Sequence, residues 1–168
     1  MQNVTNVTAR QSARIKPRFN PADVAKKFDA LLDFIQDETV RALQYVGEQA
    51  VTYARSIPDP DHGGLGFKDH TANLRSSIGY AVYYNGEQIT GSYEGTPEGT
   101  QQGQNLANKA AEGTRGFALV VTAGMYYAVY VESKGRDVLS SAEQKAAQWL
   151  QTELDDIKQA VIEYWKQI

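Results

Sequence analysis

An unbroken helical pattern limits the folds open to this chain more than any other feature. No proline occurs between Pro21 and Pro58, and apolar residues recur there every three or four positions, which predicts a helix over residues 21–56. Asn20 before Pro21 is typical of a helix start. Such a helix is ~54 Å long at 1.5 Å per residue, whereas a globular chain of this size measures roughly 40 Å across. The helix must therefore bend, break or project beyond its own core, and Gly47 is the expected weak point.

A second helical pattern ends the chain. Ser140 or Ser141 can cap this helix, with Glu143 in its first turn, and apolar residues keep helical spacing as far as Ile168.

Alternation of period two predicts a small antiparallel sheet between the two helices. Asn85-Gly86 suits a tight hairpin turn because both positions favour positive φ. A flexible loop and a short helix are expected at 94–104 and 106–112. The predicted strands are 78–84, 88–93, 117–122 and 125–132. The fold class is therefore α+β: a small antiparallel sheet with a long, kinked N-terminal helix and a long C-terminal helix packed on one face.

The first residues differ from the rest in composition and charge. Residues 1–20 are polar and predict a flexible basic arm, which leaves 21–168 as a single α+β domain. Residues 1–27 carry six basic and one acidic side chain, although the whole chain has a net charge of −3. The folded body is therefore acidic, which argues against a reader of duplex DNA. Contact with nucleic acid through residues 10–27 stays an alternative.

Few residues suit catalysis. The chain has no cysteine, which excludes thiol catalysis and thiolate zinc sites. It also has no phosphate-binding loop, dinucleotide fingerprint or serine nucleophile elbow. The loop over residues 57–73 holds His62 and His70 together with Asp59, Asp61 and Asp69. These side chains could bind a divalent cation, so a metal-dependent hydrolase is a further alternative. No apolar run is long enough to span a bilayer, and we expect no membrane partner.

Tyrosine is concentrated in the predicted strands, where seven of the ten lie between residues 80 and 130. Alternation places Tyr83 on the sheet face opposite to Tyr80, and it places Tyr126 and Tyr130 opposite to Tyr127. A sheet face left uncovered by helices would expose these rings, which suit an interface. Ordinary strand preference is the alternative explanation.

Two segments resemble a family of bacteriophage proteins. Residues 70–78, His-Thr-Ala-Asn-Leu-Arg-Ser-Ser-Ile, resemble the family's T-G-x-L-R-x-S-I element, with Ala72 in place of the usual glycine. Residues 123–132, Ala-Gly-Met-Tyr-Tyr-Ala-Val-Tyr-Val-Glu, resemble its A-G-x-x-Y-A-x-Y-V-E-x-G element. The order of helices, loop and strands is also similar. This family comprises the tail-completion, or head–tail joining, minor structural proteins of long-tailed phages (the gene product ten-like group).

The resemblance implies a virion component with no catalytic activity and no cofactor. Such proteins form homo-oligomeric rings between the connector on the capsid and the tail tube. The expected partners are further copies of the chain and the neighbouring connector or adaptor, tail-terminator or tail-tube proteins, with DNA only passing through the lumen. The expected location is the virion, and the host cytoplasm during assembly.

Six residues are the candidate interface residues on this interpretation. Arg75 is expected to anchor the loop end to an acidic partner or a strand-end carbonyl, and Glu132 is one candidate partner for it. The six are Leu74, Arg75, Tyr83, Tyr126, Tyr130 and Glu132.

Overall fold

A computed structural model describes residues 20–167 and confirms the α+β class. The predicted arm over residues 1–20 lies outside the described residues except for Asn20. The elements of the described part are α1 (Pro21–Ser56), a 3-10 turn (Pro60–His62), α2 (Asn73–Ser77), β1 (Ile78–Tyr84), β2 (Glu87–Ser92), α3 (Pro97–Ala111), β3 (Phe117–Ala123), α4 (Ala128–Ser133) and α5 (Ser140–Gln167).

The three strands form one antiparallel sheet in the order β2-β1-β3, so β1 is central. The predicted hairpin between β1 and β2 is confirmed. Asn85 and Gly86 have φ values of 52° and 84°, the two positive values that an Asn-Gly hairpin turn requires.

The two long helices lie on the same face of the sheet and pack against each other, as predicted. α1 directs Leu43 and Val51 onto the side chains of Ile78, Tyr80 and Val82 in β1, and these five residues belong to one buried apolar cluster. α5 adds Ala142 to the cluster, with Leu150 at its edge. The helices run antiparallel, because Phe28 near the start of α1 contacts Trp165 near the end of α5.

The opposite face of the sheet is covered by α3, which corrects the prediction of a flexible loop over 94–104. Thr96 caps this helix by accepting a hydrogen bond from the Gly99 N–H at 3.2 Å, and Pro97 occupies the first helical turn. Its buried residues lie four apart and are all small: Gly99, Gly103, Ala107 and Ala111. The glycines led to the prediction of a loop because glycine lowers helix propensity. Here the missing side chains let the helix lie directly on the sheet, where a Cβ at Gly103 would lie 2.4 Å from the Ser77 carbonyl oxygen.

The first half of α1 projects beyond the sheet, one of the outcomes expected from its length. All of the buried residues in α1 lie between Ala42 and Ala54. The earlier turns contact α5 instead: Phe28 lies 5.3 Å from Trp165, and Phe34 stacks on Tyr164 at 4.3 Å between ring centroids. The helix continues through Gly47, so the expected break at this residue is absent. Gly47 instead makes room for the ring of Tyr80.

Gly47→Ala tests this packing. A Cβ at residue 47 would lie 2.4 Å from Cδ2 of the buried Tyr80 ring, so the ring or the helix must shift. Overpacking costs about 1–3 kcal/mol, which outweighs the gain of about 1 kcal/mol in helix propensity. We expect chemical denaturation to show a lower free energy of unfolding. The control is Gln36→Ala at an exposed position of the same helix, which should stay within about 0.5 kcal/mol of the parent. A Gly47→Ala protein as stable as the control would contradict this packing.

The buried Tyr80 and the partly buried Tyr93 predict a loss of stability at alkaline pH. Burial, and then the charge of Glu48, raises the pKa of Tyr80 to about 12, and burial raises the pKa of Tyr93 to about 12 from 10.0. The unfolded chain therefore loses these protons at lower pH than the folded chain, so the free energy of unfolding falls as pH rises from 10 to 12. Urea midpoints should fall across this window, and less steeply in Tyr80→Phe. If the urea midpoint fell equally steeply with pH in the parent and in Tyr80→Phe, the contribution assigned to Tyr80 would be contradicted.

Candidate assembly interface

The first motif forms α2 and the entry into β1. Leu74 is only 1% exposed and belongs to the core. Ala72, directly before α2, has a φ of 60°, in the left-handed region that favours glycine. This conformation gives a physical reason for the glycine in the pattern that this segment resembles.

The two motifs meet at Ser77. Its carbonyl oxygen accepts a hydrogen bond from the Gly124 N–H at 3.2 Å, and its Oγ accepts one from the Met125 N–H at 3.3 Å. The same Oγ donates to the Leu74 carbonyl oxygen at 2.7 Å. α3 packs tightly here as well, because a Cβ at Gly124 would lie 2.2 Å from the backbone nitrogen of Gly103. The fold therefore brings residues about 50 positions apart into one buried junction.

Arg75 lies beside this junction and holds the end of α1. Its Nη1 donates to the Arg55 carbonyl oxygen, and its guanidinium lies 5.3 Å from the centroid of the Phe67 ring. Its backbone N–H donates to Asp69 Oδ2 at 2.6 Å. The carbonyl it binds ends a helix rather than a strand, and Glu132 bonds elsewhere. The predicted pairing of Arg75 with Glu132 is therefore wrong.

Arg55 completes the link between α1 and the sheet. Its Nη2 donates to the Ile78 carbonyl oxygen at 2.6 Å and to the Glu94 carbonyl oxygen at 3.1 Å. Burial, together with the positive charge of Arg75, lowers the pKa of Arg55, and the Glu94 carboxylate opposes this shift. Backbone carbonyls accept hydrogen bonds from both guanidinium groups, although Nε of Arg55 is buried without a partner among the described residues. The role of the two side chains in this conformation is therefore structural.

The second motif is helical, which corrects the predicted strand over 125–132. A turn at Met125 leads into α4, with the Ala128 N–H donating to the Met125 carbonyl oxygen at 2.9 Å. Its inward positions, Met125, Ala128 and Val131, are three residues apart, which is helical spacing. Tyrosine and valine favour strands on average, but this packing against the core decides the conformation. The signal was present in the sequence as that three-residue spacing.

The outward side of this turn and helix is apolar. Tyr126 is 91% exposed, Val129 is 77% exposed and Tyr130 is 63% exposed. Lys134 Nζ lies 5.1 Å from the centroid of the Tyr130 ring. Sequence reasoning had selected the two tyrosines but not Val129, because it assumed a strand. We call Tyr126, Val129 and Tyr130 the α4 patch.

Glu132 supports this patch from behind by capping α5. Its Oε1 accepts hydrogen bonds from the backbone N–H of Leu139 at 3.3 Å and of Ser140 at 3.0 Å, and from Ser140 Oγ at 2.6 Å. A carboxylate at a helix N-terminus also interacts favourably with the helix dipole. Glu132 therefore fixes α4 against the first turn of α5.

The other two candidates, Leu74 and Tyr83, are buried, which corrects their selection as interface residues. Tyr83 does face away from Tyr80 as alternation predicted, but α3 covers that face. The ring of Tyr83 is 1% exposed, and its hydroxyl donates to Asn108 Oδ1 at 2.7 Å. Leu74 packs in the core on the other side of the sheet.

The histidine loop is held by local contacts. His62 Nδ1 lies 2.7 Å from Asp59 Oδ1, and this hydrogen bond lowers the pKa of Asp59. Asp61 pairs with Lys68, and Asp69 accepts the Arg75 N–H. Within residues 20–167, no group of three or more histidine, aspartate or glutamate side chains is placed to hold a metal ion.

Comparisons of the chain with protein-family models, with curated proteins and with solved structures gave no match. In the part of the chain that the structure describes, no helix has the length and apolar character needed to cross a membrane. The functional interpretation therefore depends on the two motifs and on the surface they build.

Glu132→Ala tests the capping role. Removing the carboxylate leaves the backbone N–H groups of Leu139 and Ser140 without their acceptor, whereas Asp137 Oδ1 still accepts from the Ser141 N–H. Loss of a capping acceptor typically costs about 1 kcal/mol. We expect a lower urea midpoint, with a smaller loss in Glu132→Gln because its side-chain oxygen can still accept. The control is Glu163→Ala near the end of α5, whose exposed i,i+3 pair with Lys166 contributes little. Equal midpoints for Glu132→Ala and Glu163→Ala would contradict the cap.

Proposed function

We propose that this chain is a non-enzymatic structural protein of a long-tailed bacteriophage or prophage particle. It acts in head–tail joining or tail completion, as a homo-oligomeric ring between the connector and the tail tube. Its neighbours are the connector or adaptor protein on one side and the tail-terminator or tail-tube protein on the other. DNA only passes through the lumen, and the chain resides in the virion after assembly in the host cytoplasm.

The α4 patch carries this proposal. The segment that resembles the phage element divides into an inward half, which joins the core and caps α5, and an outward half of three large exposed side chains. Exposed tyrosines are common anchors of protein interfaces, because they bury a large area at low entropy cost. Covering apolar surface contributes roughly 25 cal/mol per Å². A rigid helix with this outer surface suits assembly with a neighbouring protein.

The alternatives have less support in the described residues. A hydrolase built on His62 and His70 needs converging ligands, whereas the aspartates of that loop bind His62, Lys68 and the Arg75 backbone. A nucleic-acid adaptor using residues 10–27 depends mainly on residues outside the described part. The assembly proposal alone uses the surface that the second motif builds.

Tyr126→Ser tests the assembly role. The side chain is almost fully exposed, so we expect the free energy of unfolding to stay within about 0.5 kcal/mol of the parent. Particle assembly should nevertheless fail, because the neighbour loses an anchor that is typically worth about 2 kcal/mol or more. The measurement is the yield of tailed particles by electron microscopy when the variant replaces the parent chain in the phage or prophage that encodes it.

Tyr45→Ser is the matched control. Tyr45 is 48% exposed on α1, outside both motifs, so its loss should leave the particle yield unchanged. Mass spectrometry of purified particles from the parent provides the decisive check. Absence of the chain from those particles would refute the proposal, and so would equal yields for the two variants.

A further inference from the structure

Within residues 20–167, the outer edge of β3 is open. β3 pairs with β1 on one side only, and its seven residues, Phe-Ala-Leu-Val-Val-Thr-Ala, include no charge and no proline. Natural sheets protect such edges with lysine, proline, bulges or a covering element. The opposite edge strand, β2, has Glu87 and pairs with β1 through an irregular register at Val82/Tyr83. β3 has neither protection, so its edge is a template for a further strand.

The hydrogen-bond pattern between β1 and β3 determines which backbone groups of β3 face outward. The Asn85 N–H donates to the Gly116 carbonyl oxygen, and the Gly124 N–H donates to the Ser77 carbonyl oxygen, which marks hydrogen-bonded pairs at both ends of the regular β1–β3 register. Alternation then leaves four residues with outward-facing N–H and C=O groups. Within residues 20–167 these groups have no hydrogen-bond partner. The four residues are Phe117, Leu119, Val121 and Ala123.

An apolar groove of about 510 Å³ lies along the same strand. Its lining includes Leu119 and Val121 of β3, Val46 of α1, and Ala146 and Leu150 of α5. Among the described residues, one charged side chain lines this groove, Glu143 of α5. A strand added at the edge of β3 would place alternate side chains on this face of the sheet and therefore into the groove. The edge and the groove thus fit the same occupant, an extended segment with small or β-branched side chains.

The sequence of this chain contains such a segment. Residues 4–8 read Val-Thr-Asn-Val-Thr, in which four of the five residues are β-branched. Residues 10–18 then add four basic and no acidic side chains. The helices that border the groove and extend beyond it are acidic, because residues 21–41 and α5 together carry ten acidic and six basic side chains. Charge complementarity therefore favours this segment over an acidic or neutral peptide.

Chain length favours exchange between copies over folding back. The arm joins α1 at Asn20, whereas the groove begins at Leu43, ~35 Å further along the helix at 1.5 Å per residue. Residues 10–19 span at most ~36 Å when fully extended. Folding back onto the same chain would therefore need a fully stretched connection, and a neighbouring copy imposes no such limit.

We propose that residues 4–9 of a second copy of this chain add to the outer edge of β3 as a fourth strand, with alternate side chains in the groove. Each copy then gives an arm to one neighbour and receives an arm from another. Such a contact is heterologous, the type that closes rings. This inference adds a specific contact to the proposed function. It depends on the unpaired edge of β3 and not on the kind of particle that contains the protein.

Cross-linking tests this contact directly, since the chain has no cysteine and any introduced one is unique. A full-length Val7→Cys protein is mixed with a Leu119→Cys protein and treated with a short bismaleimide, which tolerates small differences in register. We expect a cross-linked heterodimer on mass spectrometry. Replacing the Leu119→Cys protein by Thr90→Cys, which places the thiol on β2, should lose this product.

Two substitutions in α5 test whether the groove holds the added strand. Ala146→Trp fills the groove and should abolish the heterodimer when combined with Leu119→Cys, whereas Gln148→Trp, on the same helix but outside the groove lining, should leave it. A cross-link no stronger than with Thr90→Cys would overturn the proposal. So would a cross-link within one chain in a dilute Val7→Cys/Leu119→Cys double variant. Presence of the chain in particles, which tests the proposed function, is measured independently of this cross-link. The strand-addition proposal and the proposed function can therefore fail separately.

Discussion

The burial of β1 between two helical layers is the constraint on which the rest of the structure depends. Residues 78–83 of this strand are all buried, and both of its edges are paired. The strand carries large side chains on both faces, with Tyr80 towards α1 and Tyr83 towards α3. Each helix therefore meets a tyrosine with small residues, Gly47 in α1 and Ala107 in α3. Close packing of this kind fixes the helices at one distance from the sheet.

The same constraint explains which elements the sequence could predict. α1 and α5 have long apolar stripes, and the Asn-Gly turn has a strong local preference, so their positions follow from the residues themselves. α3 was missed because its buried stripe consists of glycine and alanine, which hydrophobic periodicity does not register. α4 was missed because aromatic and β-branched residues favour strands on average. The three-residue spacing of Met125, Ala128 and Val131 is a helical signal, but it becomes decisive only through packing against a core built by distant residues.

The candidate interface residues also divide into those whose exposure the sequence could predict and those whose burial it could not. Tyr126 and Tyr130 could be selected from the sequence, and both are exposed, although in a turn and a helix rather than on a sheet face. Leu74 was selected with them because it belongs to a motif, yet its side chain supports the core. A sequence motif contains residues that are needed for folding as well as residues that contact a partner. Only burial separates the two roles, and burial depends on residues distant in sequence, as the hydrogen bonds of Ser77 to the second motif illustrate.

A core centred on one strand leaves much of the chain exposed, and this has consequences for assembly. The first half of α1 and the second half of α5 pair with each other beyond the sheet, with Phe28 and Trp165 only half covered. The α4 patch follows the end of β3, and the open edge of β3 adds a third surface. Because these surfaces differ in chemistry, two copies bringing the same surface together would leave the others uncovered. Contacts between unlike surfaces use more of them and propagate around an axis, which is the head-to-tail arrangement that the proposed ring requires.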